Sequence, residues 1–228
     1  IAPYLAYQTK LYQHHHILLY GRLYYVTFGL FGNATNDNEL LPDGRPRLPP
    51  GQRLVENWPV LHYGAIPSID LSTWQFQIGG LVSQEISFSW EDFMSLPQVN
   101  MRTDIHCVTT WSKYDNDWVG VQFSEILKIA DPLPEARYVI FHSYGGYTTN
   151  LAISELDRPD VLLVHTHNGE PLTPEHGAPL RGMVPHLYFW KSAKWVSGIE
   201  FVAQDRPGFW ELYGYHMHGD PWIEERYG

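Results

Sequence analysis

Hydrophobic and polar residues alternate along several short stretches of this chain, and a period of two predicts β-strands. The stretch 74–78 alternates from Trp74 to Ile78. Residues 99–105 place Val99, Met101, Thr103 and Ile105 at every second position. The unbroken apolar runs 138–141 and 161–164, and the segment 194–202, predict three further strands.

Turn and helix patterns separate these predicted strands. Gly145-Gly146 and Asn168-Gly169 are typical of hairpins. Ser89 is positioned to cap a short helix that stops at Pro97. Ser124 is predicted to open another, which ends at Asp131-Pro132. The predicted class is α+β with strands dominant.

Composition excludes some functions. The 228 residues include 15 basic and 25 acidic side chains, and the net charge of −10 argues against nucleic-acid binding. No run of 18 or more apolar residues occurs, so no transmembrane helix is predicted. One unpaired cysteine favours a reducing compartment such as the cytoplasm. A leader already removed would leave a periplasmic or organellar location open, because the chain starts at Ile1.

The first part of the chain differs in character from the rest. Residues 1–35 are rich in Tyr and Leu and include the run His14–His16. We interpret this run as a polar surface stretch, because adjacent side chains point in different directions and make a poor metal site. A loop rich in Pro and Gly follows. We predict an N-terminal extension and linker at 1–47, able to bind a partner subunit through 1–35, and one compact domain at 48–228.

Cys107 is the only cysteine, so neither an internal disulfide nor a multi-cysteine zinc site can form. A single thiol is commonly a small buried hydrophobe, and it can also act as a nucleophile or as one soft metal ligand. His106 is a poor general base for Cys107, because neighbours in a strand point to opposite faces. A hydrolase or peroxidase with a Cys107 nucleophile is therefore the least favoured hypothesis.

The segment 176–194 has the composition of an anion-binding cradle. Gly177 permits close backbone approach, and Arg181 offers a planar fork suited to phosphate. Lys191 and Lys194 add positive charge to an otherwise acidic chain. A phosphate-bearing cofactor whose metal takes one protein sulfur would use both this segment and Cys107.

Three groups of residues, taken in order, resemble a known family. They are His106-Cys107-Val108 with Trp111-Ser112, then the stretch 145–151, then 177–181 continuing to 191–194. Together they resemble the molybdopterin-binding domain of the sulfite oxidase superfamily over about residues 48–226. Within that superfamily the chain most resembles the stand-alone bacterial-type domain related to the methionine-sulfoxide reductase catalytic subunit. The resemblance implies a fold of mixed sheets with short helices.

The resemblance also implies a cofactor and its ligands. In this family one pyranopterin dithiolene, or molybdopterin, chelates molybdenum, and one cysteine thiolate completes the protein ligation. Cys107 matches that ligand, and Arg181 matches the residue that would hold the pterin phosphate. The other positions implied to contact the cofactor are Asn57, His62, Thr148 or Thr149, His176, Lys191, Ser192 and Lys194.

The chain departs from sulfite oxidases directly after the cysteine. Those enzymes continue with a small residue, a Gly, an Asn and an Arg, whereas this chain has Val108 to Ser112. Trp111 near the metal favours a less charged substrate, such as a sulfoxide or an N-oxide, and becomes a candidate catalytic residue. Lys113 and Arg102 could supply positive charge for an anion, so sulfite remains an alternative substrate. With no haem domain in the sequence, electrons are expected to pass to a separate protein.

The leading hypothesis is therefore a molybdenum oxidoreductase that transfers an oxygen atom. The alternative is a non-catalytic or accessory subunit of a larger assembly that retains the fold, with or without the cofactor. The cysteine and the basic cradle argue against that alternative, because a scaffold has no need of them.

Overall fold

Two β-sheets organise residues 39–228, the part of the chain that the computed structural model describes. The His14–His16 run and the predicted partner contact through 1–35 lie outside the described residues. The strands, in chain order, are β1 (Arg53–Leu54), β2 (Gln75–Gly80), β3 (Ile86–Ser89), β4 (Val99–Cys107), β5 (Trp111–Gln122), β6 (Tyr138–Ser143), β7 (Thr148–Ala152), β8 (Leu162–His167), β9 (Glu170–Pro171), β10 (Arg181–Met183) and β11 (Val196–Val202).

Helices are few and short in this part of the chain. The α-helices are α1 (Trp90–Ser95), α2 (Phe123–Ala130), α3 (Ile153–Leu156) and α4 (Phe209–Leu212), and single 3-10 turns cover Tyr144–Gly146, Pro174–His176, Phe189–Lys191 and Pro221–Ile223. None of the helices in residues 39–228 is long and apolar enough to cross a membrane.

The first sheet is built around the long strand β5. One edge of β5 pairs antiparallel with β4 over most of its length, and the other pairs in succession with β1 and β8. β8 then pairs with β9 and β10. The second sheet has the order β3-β2-β11-β6-β7, in which only β2 and β11 are parallel. These mixed sheets confirm the predicted strand-dominated α+β class.

Local sequence rules account for several element ends. Ser89 and Asp92 form a reciprocal capping box at α1, as predicted, with Asp92 N donating to Ser89 Oγ at 3.2 Å. Asn168 and Gly169 both have positive φ, as the predicted hairpin between β8 and β9 requires. The strand predicted at 194–202 begins instead at Val196, because Trp195 has a φ of +52°, which lies outside the β region of backbone conformations.

The side chains form two hydrophobic clusters. The larger one includes Phe76 and Phe201, both fully buried. The smaller one includes Cys107, Trp111 and Trp118. Two of the residues predicted to carry the chemistry, Cys107 and Trp111, therefore belong to the second cluster.

The described part of the predicted linker, residues 39–47, contacts the surface of the domain. Arg47 Nε lies 2.6 Å from Asp104 Oδ2, and Trp222 Nε1 donates to Pro46 O at 2.7 Å. Residues 39–47 therefore pack against the hairpin formed by β4 and β5 and against the C-terminal segment.

Candidate active site

Cys107 ends β4, and Trp111 begins β5 directly opposite it. The turn between them closes through a hydrogen bond from Thr110 N to Cys107 O at 3.0 Å, and Thr110 has a φ of +69°. Cys107 Sγ lies 3.1 Å from Thr109 Oγ1. Burial raises the pKa of the Cys107 thiol, while the Thr109 hydrogen bonds oppose that shift. The hairpin thus fixes one sulfur at the end of a rigid strand.

A cavity of about 310 Å³ lies beside this sulfur. Nine aromatic side chains line it, namely Trp58, Tyr63, Trp111, Tyr147, Phe189, Trp190, Trp195, Trp210 and Tyr215. Its cationic side chains are Arg181 and Lys194, and within residues 39–228 no Asp or Glu lines it. The cavity therefore combines apolar walls with uncompensated positive charge.

Arg181 is 1% exposed and begins β10. Its Nη1 donates to His176 O at 2.8 Å, and its Nη2 donates to Ser192 O at 2.9 Å. The guanidinium also lies over the Phe189 ring at 4.2 Å. Burial lowers the pKa of Arg181 to about 9. No carboxylate of the described chain pairs with it, so the charge has carbonyl and aromatic neighbours but no counter-ion.

Lys194 provides a second cation on the same wall. Its Nζ donates to Leu61 O at 2.8 Å and to Glu175 O at 2.6 Å. Burial, and then the charge of Arg181, lower the pKa of Lys194 to about 7. An anion bound beside Arg181 and Lys194 would stabilise the charged form of each.

Two histidines flank Trp58 behind this wall. The His176 ring stacks on Trp58 with centroids 3.7 Å apart, and the His167 ring lies 4.5 Å from it. The pKa of each is lowered to about 4, chiefly by burial and then by nearby cations that include Arg181. Both rings are therefore neutral at pH 7, and His176 supports the wall without lining the cavity.

Six of the predicted site residues line the cavity. They are His62, Cys107, Trp111, Arg181, Ser192 and Lys194. The Trp111 Nε1 group is buried and has no hydrogen-bond partner. An unpaired buried N–H donor costs about 1–3 kcal/mol, so this group is suited to an oxygen atom supplied from outside the chain.

Five predicted residues do not line the cavity, and His176, described above, is one of them. Lys191 Nζ binds Glu211 Oε1 at 2.6 Å, and Thr149 Oγ1 donates to the same oxygen at 3.0 Å. Asn57 is exposed and Thr148 is half-buried, and neither lines the cavity. From the stretch 145–151, Tyr147 is the residue that reaches the cavity, and its hydroxyl donates to Trp190 O at 2.6 Å.

His106 points away from the cavity, as the strand argument predicted. Its Nδ1 lies 2.8 Å from Ser112 Oγ, and its ring packs edge-on against Trp222. Burial lowers the pKa of His106 to about 4. The pairing of Cys107 with His106 as nucleophile and base has no support in this geometry.

Sequence reasoning missed most of the aromatic wall. Trp190, Trp210 and Tyr215 come from the C-terminal third and meet only in the fold, where the Trp190 ring lies 5.0 Å from the Tyr215 ring. The high aromatic fraction of 15% was the available indication, but it gave no positions.

The fold thus brings one thiol and two cationic side chains to the same aromatic cavity. The chain belongs to the oxidoreductase molybdopterin-binding domain family, whose model matches residues 63–210. It is therefore an oxidoreductase of the sulfite oxidase superfamily, as the resemblance predicted.

Several relatives support this assignment. The chain is 50% identical over 186 residues to YuiH of Bacillus subtilis, described as an uncharacterized oxidoreductase, and the match covers 81% of this chain and 94% of YuiH. It is 29% identical to the protein-methionine-sulfoxide reductase catalytic subunit MsrP of Ralstonia nicotianae, over 66% of this chain and 52% of MsrP. It is 28% identical to the sulfite oxidase of Arabidopsis thaliana, over 68% of this chain and 49% of that enzyme.

A solved structure shares the fold. The sulfane dehydrogenase SoxCD from Paracoccus pantotrophus superposes with a TM-score of 0.58 at 20% identity, over 77% of this chain and 57% of that one. The chain thus spans nearly all of YuiH but only about half the length of MsrP and of the plant enzyme.

Proposed function

We propose that this domain binds molybdenum through a single pyranopterin dithiolene and transfers an oxygen atom to or from an uncharged S-oxide or N-oxide. The main support for this proposal is that Cys107 and Arg181 line the same aromatic cavity. Arg181 has no carboxylate partner among residues 39–228. Electrons would be exchanged with a separate redox protein.

The residues present fit such a cofactor. A fully buried guanidinium without a carboxylate is costly unless a ligand supplies the negative charge. The forked donors of Arg181 suit a phosphate, and Lys194 adds a second cation on the same wall. Cys107 presents a soft sulfur of the kind that molybdenum chemistry requires. We infer that Arg181 and Lys194 hold the phosphate and that Cys107 ligates the metal.

When bound, the cofactor would supply the redox chemistry of oxygen-atom transfer. The chain's own residues position the substrate and exclude water. The aromatic walls, which include Trp111, remove the substrate from solvent. His62, at the cavity rim, and Ser192 complete the proposed cofactor contacts.

The charge distribution supports an uncharged substrate over sulfite. Arg102 forms an exposed ion pair with Asp117 at 2.7 Å, and Lys113 Nζ donates to Asn116 Oδ1 at 2.9 Å. Neither cation lines the cavity. If Arg181 and Lys194 bind the cofactor phosphate, no other cationic side chain of residues 39–228 lines the cavity to bind the doubly charged sulfite ion.

The test begins with molybdenum content, measured by elemental mass spectrometry on protein from its native source. We expect about one molybdenum per chain in the wild type. In Cys107→Ser a hard hydroxyl replaces the thiolate, so the pterin should stay bound while sulfoxide reduction falls by at least about a hundredfold. The matched control is Thr110→Asn, an exposed residue of the same turn whose positive φ suits Asn.

Two outcomes would reject the proposal. One is a folded native protein without molybdenum. The other is full turnover in Cys107→Ser, which would remove the sulfur from the metal site.

A further inference from the structure

The turn that carries Cys107 is held from outside the hairpin by two side chains. Gln52 Nε2 donates to Cys107 O at 3.1 Å, and Arg226 Nη1 donates to Val108 O. Both side chains lie beyond residues 63–210, the part that matches the family model. The range that the family model matches therefore includes neither of them.

Arg226 reaches the turn as a largely buried charge. Its side chain is 14% exposed, and the guanidinium lies 4.9 Å from the centroid of the Tyr188 ring. The nearest carboxylate oxygen, Glu224 Oε1, is 3.7 Å from Nη2 and belongs to a side chain that is 52% exposed. An ion pair this loose and solvated neutralises little of the charge. Arg226 therefore keeps a positive field directed at the Cys107 turn.

The surrounding backbone fixes Arg226 in this place. Tyr215 and Tyr227 form an antiparallel bridge, which returns the end of the chain to the cavity side. Gly51 makes room for the guanidinium, because a Cβ there would lie 3.3 Å from Arg226 Nη2 and 2.7 Å from Glu224 Oε1. The side chain is thus held in position before any cofactor binds.

We propose that Arg226 is a positioning residue for Cys107, which fixes the turn through the Val108 carbonyl and raises the reduction potential of the metal that Cys107 ligates. A cation beside a thiolate ligand withdraws electron density from the metal and so favours its reduced state. Gln52 fixes the same turn without adding charge. This inference rests on the proposed function.

Three substitutions separate the two roles of Arg226. Arg226→Gln keeps a donor for Val108 O but removes the charge. Arg226→Met removes both, and Arg226→Lys restores the charge. We expect the molybdenum midpoint potential, measured by an EPR-monitored redox titration, to shift to lower values in the Gln and Met variants and to return toward the wild-type value with Lys.

The rate of amide hydrogen exchange measures how firmly the Cys107 turn is held. Exchange at Thr110, whose N–H closes the turn on Cys107 O, should accelerate by at least about tenfold in Arg226→Met and less in Arg226→Gln. The matched control is Arg206→Gln, which loses the same charge from an exposed arginine that pairs with Glu200. It should change neither readout. If Arg226→Met does not fold, the Gln and Lys variants still decide the effect of the charge.

Failure of this inference differs from failure of the proposed function. Wild-type potential and wild-type exchange in molybdenum-loaded Gln and Met variants would overturn the role of Arg226. Absence of molybdenum from the wild type would overturn the proposed function instead, and the exchange measurement would then still test whether Arg226 holds the turn.

Discussion

Arg181 and Lys191 are both almost completely buried, yet their surroundings differ. Lys191 Nζ binds the fully buried Glu211 carboxylate at 2.6 Å and three further oxygens from Asn150 and Met217. Arg181 has two carbonyl acceptors within 3 Å, and no carboxylate of residues 39–228 pairs with it. A buried charge that the fold neutralises is part of the architecture, whereas one that the fold leaves without a counter-ion marks a place for a ligand.

The Lys191 network connects three parts of the chain. Asn150 belongs to β7 and Glu211 to α4, and Glu211 Oε1 also accepts from Trp190 Nε1 at 2.9 Å. Trp190 lines the cavity. The network thus holds one cavity wall in place, although Lys191 itself does not line the cavity.

The largest expected effect comes from breaking the neutralised pair. Lys191→Met leaves the Glu211 carboxylate buried without a cation, so the free energy of unfolding should fall by about 3–5 kcal/mol. Urea unfolding measures this loss. Lys128→Met is the control, because Lys128 is exposed and its pair with Glu125 should contribute less than about 0.5 kcal/mol. A loss below about 1 kcal/mol at Lys191 would remove the distinction between the two cations.

Arg181→Met should have the opposite effect, with little change in stability and a large loss of molybdenum. Removing a charge without a counter-ion relieves its desolvation, while two carbonyls lose their donors, so cofactor-free stability should change by less than about 2 kcal/mol. Molybdenum occupancy should fall at least about tenfold, because the phosphate loses its bidentate partner. Elemental mass spectrometry and urea unfolding measure the two quantities. Full occupancy in this variant, with Arg102→Met as the exposed control, would contradict the assignment of Arg181.

The smallest expected effect is the pH dependence of the free energy of unfolding that arises from His167 and His176, behind Arg181. The pKa values of His167 and His176 are lowered to about 4, chiefly by burial, below the ordinary value of 6.5. Between about pH 4 and pH 6.5 these two histidines therefore bind more protons in the unfolded chain than in the folded one. Stability is fully present above about pH 6.5 and is lost as the pH falls toward 4, by about 1 kcal/mol for each half-buried ring.

Urea midpoints measured from pH 8 to pH 4 check this dependence. His167→Gln should flatten the decline below pH 6.5, since Gln keeps a donor for Asn116 Oδ1, which lies 3.0 Å from His167 Nε2. An unchanged slope in that variant would show that His167 does not contribute to the acid sensitivity.

Several features follow from local sequence alone. The capping box at Ser89, the Asn168-Gly169 hairpin and the alternation that brings Cys107 to the end of β4 depend on neighbours a few residues apart. Local propensities and the strand period of two decide such features. The sequence therefore determined the strand-dominated class, the location of the sulfur and, through the resemblance, the molybdopterin-binding domain family.

Only the tertiary structure distinguished Arg181 from Lys191. Both stand in one basic segment and look equally suited to an anion, but Lys191 meets Glu211, a residue 20 positions further along the chain. The same holds for Trp190 and Tyr215, which become cavity walls through contacts across the fold. Whether a buried charge has a counter-ion depends on which distant segments pack beside it, and no local pattern carries that information.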